Sequence, residues 1–377
     1  MLVKSMKTLA DARNGALTAA YRAGLRSRTF RTASLNTPTA PHEVIPVTTV
    51  DGARLRVHAY GPADGDVIVL IHGWSCSIEY WNPQINAFAD RYRVVCYDQR
   101  GHGESQLGKR MPSRETLADD LAAVLDAVLR PGQRAVLAGH SMGGITIQAW
   151  AAHYPEQVQR RAAAAILLNT TSGNIRYDTD LLPLLNKQLV VQNKPITLLG
   201  APVRMPTILS EAVLTSPVPL PGGLLASAIL KARVMCKHAT ADEVNFSLGI
   251  VRSCRPLTRG RHAAALADID VSDAAAQLTV PTTVIAGTYD HLLPERMSRR
   301  IADDLARTGH LAAYHSWPTG HLGNIEAADK FNEVLATVAP QAPQPAPPPG
   351  GTPQVKRGRE QPPAEGPPKT PPRVRAR

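Results

Sequence analysis

The sequence predicts an α/β fold in which a mainly parallel twisted sheet carries helices on both faces and a mostly helical cap is inserted. Short apolar segments of strand length alternate with longer segments of helical periodicity along most of the chain. Several short segments, such as 67–71 (VIVLI), are continuous aliphatic runs, which are typical of strands covered on both faces. The alternation stops between residues 173 and 270, where scattered Pro and Gly interrupt helical apolar stretches.

The strands and the clearest helix follow from these patterns. The predicted strands are 53–59, 67–71, 93–97, 135–138, 164–168, 282–286 and 312–316. The helix spans 114–130, where the apolar residues form one stripe, Ser113 is a plausible N-cap and Pro131-Gly132 ends the segment. Because strands joined by helices run parallel in such folds, we expect a mainly parallel sheet.

Composition divides the chain into four regions. We predict a basic N-terminal extension at 1–42, a core made of 43–172 and 271–339, a cap or lid at 173–270, and a Pro-rich basic tail at 340–377. The tail contains 13 prolines and no aromatic residue. Such a segment cannot bury a core, so we predict that it is disordered or polyproline-like.

The N-terminal extension carries apolar residues near helical spacing, with basic residues among them. These residues are Leu2, Met6, Leu9, Leu17, Tyr21 and Leu25, with Lys4, Lys7, Arg13, Arg22 and Arg26. The pattern fits a basic amphipathic helix in peripheral contact with an anionic membrane, or a helix docked on the main domain. The extension lacks the continuous apolar run of a secretory signal, and no apolar run is long enough to span a bilayer.

The net charge of +11 belongs to the two ends of the chain. Residues 1–42 hold seven Lys or Arg against one acid, residues 340–377 hold seven against two, and residues 43–339 are formally neutral. This neutral middle shows no RNA-binding, helix-turn-helix or zinc-finger pattern. We therefore expect no nucleic-acid partner.

The four cysteines lack the spacing of a metal site. Cys76, Cys96, Cys236 and Cys254 form no C-x-x-C pair, so no metal is expected, and nothing suggests an organic cofactor. Cys96 lies in a strand-like run and reads as a buried thiol. A disulfide between Cys236 and Cys254 remains open at this stage. The cysteine usage favours a reducing compartment, and we expect a cytoplasmic protein, peripherally membrane-associated if the extension binds lipid.

The stretch 139–143 has the spacing G-x-S-x-G and lies between a predicted strand and a predicted helix. A serine on such a tight turn takes strained backbone angles, at a cost of about 1–3 kcal/mol. Side chains at Gly139 and Gly143 would collide as the helix folds back against the strand, so both glycines are predicted to be structural requirements. Ser141 is the candidate nucleophile.

A serine hydroxyl becomes a good nucleophile when a neighbouring base accepts its proton. Among twelve histidines, His321 is the favoured base because it lies in a loop after the last predicted strand and before the C-terminal helix. His315, on the strand itself, is predicted to be structural. His140 neighbours the nucleophile, but its side chain is expected to point elsewhere.

The base needs a buried acid to orient it. Asp290 follows the strand 282–286 directly, at the edge of the sheet where the other candidates lie, and is the predicted acid. Asp268, Asp270 and Asp273 remain alternatives, although their position before that strand suggests solvated or capping acids.

Two backbone donors are needed for the oxyanion of a tetrahedral intermediate. The N–H of Met142 follows the nucleophile at the start of a helix. The N–H of Trp74, in the loop after strand 67–71, is the second candidate, with His72-Gly73 shaping that loop. The alternative is a simple turn that ends the strand.

Five sequence blocks resemble those of the α/β-hydrolase fold superfamily, in its serine esterase and lipase-like branch. They are HGW (72–74), YDQRGHGES (97–105), GHSMGG (139–144), GTYDHLLP (287–294) and GH (320–321). The resemblance implies the order nucleophile, acid, base for Ser141, Asp290 and His321. It also implies a structural turn at 97–105, so Asp98, Arg100 and His102 are not assigned catalysis. Family epoxide hydrolases and haloalkane dehalogenases use an Asp nucleophile, so Ser141 argues against both.

The sequence thus predicts a serine hydrolase that cleaves small carboxylic esters through an acyl-enzyme, without a cofactor. The apolar cap favours a lipophilic ester. A cofactor-free perhydrolase or haloperoxidase, an acyltransferase and a C–C bond hydrolase share the same residues and remain alternatives. A ligand-binding protein that kept the fold without turnover is the alternative from another class.

Overall fold

The computed structural model describes the backbone of residues 2–180, 190–191, 194–195, 197–198, 201–202, 220 and 222–339. Side chains are described for residues 13–180, 220 and 222–339. All of these residues belong to one unit, Met1–Ala342. The predicted disordered tail at 340–377 lies outside the described residues.

Eight strands form the main sheet. They are β1 His42–Val44, β4 Val57–Tyr60, β5 Val67–Ile71, β6 Arg93–Tyr97, β7 Ala135–His140, β8 Ala162–Leu168, β13 Thr282–Gly287 and β14 Leu311–Trp317. Their order across the sheet is β1-β4-β6-β5-β7-β8-β13-β14. Neighbours from β6 to β14 pair in parallel, whereas β4 and β1 add to one edge in antiparallel pairs. The predicted α/β fold with a mainly parallel sheet is confirmed.

Within the described residues, three small antiparallel pairs lie outside this sheet. They are β2 Val47–Thr48 with β3 Arg54–Leu55, β9 Val190–Val191 with β10 Lys194–Pro195, and β11 Thr197–Leu198 with β12 Ala201–Pro202. The predicted strand 53–59 is therefore divided, because β3 pairs with β2 while β4 joins the main sheet. Strand β1 was not predicted, since its three side chains are exposed and give no apolar run.

Alternate side chains of β5 pack on opposite faces of the sheet. Val67, Val69 and Ile71 join one apolar cluster, whereas Ile68 and Leu70 join the other. All five side chains are at most 1% exposed. Both faces of a central parallel strand are covered, which explains why its sequence is apolar throughout.

Helices connect the strands. They are α1 Leu2–Ser27, α2 Asn82–Phe88, α3 Arg114–Val128, α4 Met142–His153, α5 Pro155–Arg161, α6 Ile175–Asp178, α7 Leu224–Arg233, α8 Ala241–Arg252, α9 Pro256–Ala267, α10 Glu295–Arg307, α11 Gly323–Glu326 and α12 Ala328–Val338. Short 3-10 helices occupy Ala33–Leu35, Ile78–Trp81 and Ala274–Ala276. The predicted cap of α3 is confirmed, because the Ser113 hydroxyl accepts the N–H of Thr116 in a capping box.

The region predicted as the cap leaves the sheet after β8 and returns before β13. Its two ends are paired, since Gly173 and Asp270 form an isolated antiparallel bridge and the Val271 N–H donates to the Ser172 carbonyl at 2.8 Å. Its described parts include helices α6 to α9 and the pairs β9–β10 and β11–β12. The base of this insertion therefore closes beside the carboxyl edge of the sheet.

The N-terminal arm, residues 13–36, contacts the insertion. In α1, Thr18, Arg22 and Leu25 are buried at spacings of four and three, so one helical face is covered. Leu25 packs on Gly249 of α8, where a Cβ atom would lie 2.9 Å from Leu25 Cδ1. The Phe30 ring meets Phe246 of α8 edge to face, at 5.5 Å between centroids. No described helix, α1 included, has the length and apolar composition to cross a membrane.

The same arm is ion-paired to the core. Arg26 lies 2.6 Å from the Glu79 carboxylate and 2.7 Å from that of Glu104. Glu79 also contacts Arg56 at 3.1 Å, and Arg56 contacts the fully buried Asp98 at 3.1 Å. The two arginines hold the pKa of Glu79 low, at about 2, against the opposing effect of burial. The arm therefore bridges the core and the insertion.

The four cysteines form no disulfide. Cys76, Cys96, Cys236 and Cys254 are all free and buried. The predicted burial of Cys96 is confirmed, and a pairing of Cys236 with Cys254 is wrong. The two lie in different cap segments, Cys236 after α7 and Cys254 between α8 and α9.

Replacing Leu25 by Ala should destabilise the fold by about 2–5 kcal/mol, because it leaves a cavity between α1 and α8. The free energy of unfolding in urea measures this loss. Leu224→Ala is the matched control, since Leu224 is 91% exposed and its truncation should change stability by less than about 0.5 kcal/mol. Equal effects of the two substitutions would show that the arm is not part of the folded unit.

Candidate active site

Ser141 lies on the turn between β7 and α4. Its backbone angles are φ 53° and ψ −118°, a conformation that residues other than glycine rarely adopt. The surroundings hold it there, since its N–H donates to the Leu168 carbonyl at 2.9 Å and its carbonyl accepts the Thr170 hydroxyl at 2.7 Å. The side chain is 7% exposed.

The glycines around Ser141 permit close backbone contact. A Cβ atom at Gly139 would lie 2.5 Å from the carbonyl carbon of Gly143. A Cβ atom at Gly143 would collide with the carbonyl oxygen of Ile71, at the end of β5. The predicted close approach of helix to strand is therefore present. A side chain at position 139 or 143 would collide with backbone atoms, which cannot move aside as flexible side chains can.

Asp290 and His321 meet at the carboxyl edge of the sheet. Asp290 follows β13, His321 follows β14, and the Asp290 Oδ2 atom lies 2.7 Å from His321 Nδ1. The other carboxylate oxygen accepts the N–H groups of Leu292 and Leu293 at 2.9 and 2.8 Å. With Nδ1–H donated to Asp290, the Nε2 atom of a neutral His321 is left as the proton acceptor.

Asn169 supports this pair and was not predicted from the sequence. Its side-chain amide donates to Asp290 Oδ2 at 3.1 Å and to the Gly320 carbonyl at 3.2 Å. Asn169 also has a positive φ of 46° at the end of β8. Asn adopts the left-handed backbone region more readily than most residues. An Asn directly after an apolar strand was therefore a sequence signal that could have identified Asn169.

His140 also contacts the candidate base, and this contact was not predicted from the sequence. Its Nε2 lies 2.8 Å from the carbonyl oxygen of His321, and the two ring centroids are 4.8 Å apart. Because a carbonyl only accepts, Nε2 carries the proton. Burial holds the pKa of His140 well below its usual value, so the ring is a neutral support at neutral pH.

The loop that carries Trp74 is held by two neutral histidines. His72 Nε2 accepts the Gln99 N–H at 2.9 Å, and His102 Nε2 accepts the Ser75 N–H at 3.2 Å. Burial lowers the pKa of His72 to about 4 and that of His102 to about 3. These rings are therefore uncharged acceptors that set the path of the loop.

The side chain of Trp74 anchors this loop to the insertion. Its indole N–H donates to the Arg259 carbonyl of α9 at 3.0 Å. Within the described residues, the backbone N–H of Trp74 donates no hydrogen bond. The N–H of Met142 opens α4, where the first amides of a helix lack intrahelical acceptors. Trp74 and Met142 thus remain the predicted oxyanion donors.

The turn at 97–105 carries structural contacts. Asp98 accepts the N–H groups of Ile78 at 2.7 Å and Glu104 at 2.8 Å. Arg100 pairs with Asp120 at 2.7 Å and with Asp51 at 2.9 Å while only 1% of its side chain is exposed. These contacts fit the structural role that the resemblance implied.

The alternative acids lie elsewhere. Asp268 pairs with Arg176, Asp273 pairs with Arg114, and Asp270 accepts the Ser272 N–H. None of these contacts involves His321. Within the part of the chain that the structure describes, no three His, Cys, Asp or Glu side chains are grouped so as to hold a metal ion.

Ser141 and His321 form no hydrogen bond within the described residues. Both residues follow parallel strands of one sheet. The His140 ring contacts the ring and the carbonyl oxygen of His321, which brings the His321 loop beside the Ser141 turn. Catalytic hydrogen bonds are often long in free enzymes and tighten when substrate binds. Proton transfer from Ser141 to His321 therefore stays a prediction.

Comparison with known proteins gives a family match over residues 66–328, described as the alpha/beta hydrolase fold. A bifunctional esterase/perhydrolase from Acinetobacter calcoaceticus is 26% identical over 314 residues, covering 78% of this chain and 98% of that protein. A putative carbamate hydrolase from Variovorax paradoxus is 27% identical over 296 residues, covering 74% of this chain and 94% of that protein.

Among solved structures, a thermophilic esterase from Thermogutta terrifontis aligns with a TM-score of 0.59 at 22% identity. The alignment covers 80% of this chain and 100% of the esterase. At this identity the likeness concerns the fold alone. The family match extends over more than half of the sequence and includes Ser141, Asp290 and His321, and the chain belongs to the alpha/beta hydrolase fold family.

Proposed function

We propose that the protein is a serine hydrolase that cleaves carboxylic esters by acyl transfer through Ser141, His321 and Asp290. Membership of the hydrolase fold family and the hydrolase names of its relatives support hydrolase activity. The observation that carries the proposed ester mechanism is the 2.7 Å contact between Asp290 and His321 beside the strained turn of Ser141. A serine with only a structural role requires neither feature.

In this mechanism, His321 Nε2 removes the proton of the Ser141 hydroxyl as Oγ attacks the ester carbonyl carbon. The amides of Met142 and Trp74 donate to the resulting oxyanion. The imidazolium then protonates the leaving alcohol, which leaves an acyl-Ser141 ester. A water molecule, deprotonated by His321, hydrolyses that ester, while Asp290 stabilises the imidazolium and holds the ring orientation.

Perhydrolysis is the second candidate activity. The relative that covers 78% of this chain is named as both an esterase and a perhydrolase. In perhydrolysis the acyl-Ser141 ester would be attacked by hydrogen peroxide instead of water, with release of a peracid. The two activities share every residue named above and differ in the nucleophile of the second step.

A lipophilic substrate is favoured by the cavity beside Asp290. An open cavity of about 420 Å³ is lined by Ala228, Ala232 and Met235 of the α7 region and by Tyr289. Lys231, Cys236, Lys237 and His291 complete its lining. The apolar part of this lining, Ala228, Ala232, Met235 and Tyr289, offers a surface for an acyl chain or a lipophilic alcohol group.

Replacing Ser141 by Ala should lower ester turnover by at least about four orders of magnitude, because the acyl-enzyme cannot form. Steady-state hydrolysis of a p-nitrophenyl ester measures the change. Ser272→Ala, at an exposed position, is the matched control and should keep full activity. Undiminished turnover by folded Ser141→Ala protein would exclude the mechanism.

For p-nitrophenyl esters of increasing acyl length, kcat/KM should rise from acetyl to medium-chain substrates, by up to about fourfold for each buried methylene. Ala228→Glu, which puts a carboxylate in the cavity wall, should reduce the medium-chain preference. Ala19→Glu on the exposed side of α1 is the control and should leave it unchanged. A preference for the acetyl ester would contradict the lipophilic assignment.

Peripheral membrane contact would use the start of α1. Thr18, Arg22 and Leu25 are buried against the protein, so deletion of residues 1–42 would also damage the fold. Deletion of 1–12 is the sharper test: binding to phosphatidylserine vesicles should be lost, and high salt should weaken binding of the full chain. Lys4→Gln with Lys7→Gln should act like the deletion. Unchanged vesicle binding after either change would refute membrane contact through this segment.

A further inference from the structure

The loop that carries His321 is held by one carboxylate. Glu326 ends the short helix α11, five positions after the histidine. Its Oε2 atom accepts the Gly320 N–H at 3.1 Å, and its Oε1 atom accepts the Leu322 N–H at 3.1 Å. The amides on both sides of His321 are therefore bound to the same side chain.

The same carboxylate also binds the insertion. Glu326 Oε2 accepts the Cys236 N–H at 2.6 Å, in the turn that follows α7. This turn contacts the histidine directly, because the His321 N–H donates to the Val234 carbonyl at 2.7 Å. A Cβ atom at Gly320 would lie 2.5 Å from Met235 Cα, so the two backbones are in close contact.

Three amide donors need the acceptor capacity of an ionised carboxylate at this position. A carboxylate has two oxygens that only accept, and hydrogen bonds to a charged acceptor are stronger than neutral ones. An amide side chain of the same length has one acceptor oxygen, and its NH₂ group would face an N–H donor. A neutral replacement therefore cannot hold both the histidine loop and the cap turn as Glu326 does.

We propose that Glu326 is a positioning residue that couples the cap turn 234–236 to the loop 320–322, so that the placement of the His321 imidazole depends on a seated cap. Glu326 acts through the backbone and does not touch the reacting atoms. This inference rests on the proposed role of His321 as the base. It assigns to one carboxylate a second connection between the insertion and the catalytic loop, beside the direct hydrogen bond from His321 to Val234.

Glu326→Gln and Glu326→Ala test the coupling in the full-length chain. We expect kcat, expressed per folded protein, to fall by about 10-fold for Gln and about 100-fold for Ala, with KM changed by less than about threefold, because a misplaced base slows chemistry more than binding. Hydrogen exchange followed by mass spectrometry should show faster exchange in peptides that contain 234–236 and 320–322. Glu333→Gln, exposed on α12, should change neither measurement.

The two readouts separate this inference from the proposed function. Faster exchange with an unchanged kcat would overturn the positioning role, and so would a lower kcat without faster exchange at 234–236. An effect confined to the melting temperature, with normal kcat per folded protein, would reduce Glu326 to a stabilising residue and also overturn the proposal. Absence of ester turnover in the unaltered chain would refute the proposed function itself, whatever the exchange data show.

Discussion

The close approach of α4 to strands β5 and β7 is the constraint on which the rest of the site depends. It forces Ser141 to a φ of 53°, and backbone atoms occupy the space that side chains at positions 139 and 143 would need. Such a conformation persists only where the surrounding structure enforces it. Here the enforcement comes from the sheet, because β8 supplies the acceptor for the Ser141 N–H.

The parallel sheet brings distant parts of the sequence to one edge. Ser141, Asp290 and His321 each follow a different strand, and the carboxyl ends of parallel strands open to the same side. The insertion leaves and returns at this edge, and it contacts the site through the Trp74 indole and the turn at 234–236. The N-terminal arm in turn packs on α8 of the insertion. The insertion thereby contacts both the loop that carries Trp74 and the loop that carries His321.

Sequence reasoning works well where chemistry or backbone geometry limits the choice of residue. The glycines at 139 and 143, the cap Ser113 and the aliphatic run of β5 belong to this class, and the structure has them in the predicted contexts. Asn169 and His140 act through hydrogen bonds to residues 121 or more positions away. Glu326 binds loop amides, one of them 90 positions away. No local sequence pattern reveals such contacts. Strand β1 escaped prediction because an exposed edge strand carries no apolar signal.

The most direct test of the central claim is the site of covalent labelling by a fluorophosphonate, mapped by peptide mass spectrometry on the folded chain. A strained serine activated by His321 predicts one adduct, on Ser141, formed far more slowly in the His321→Ala variant. No adduct on Ser141, or an adduct whose rate does not depend on His321, would contradict the account.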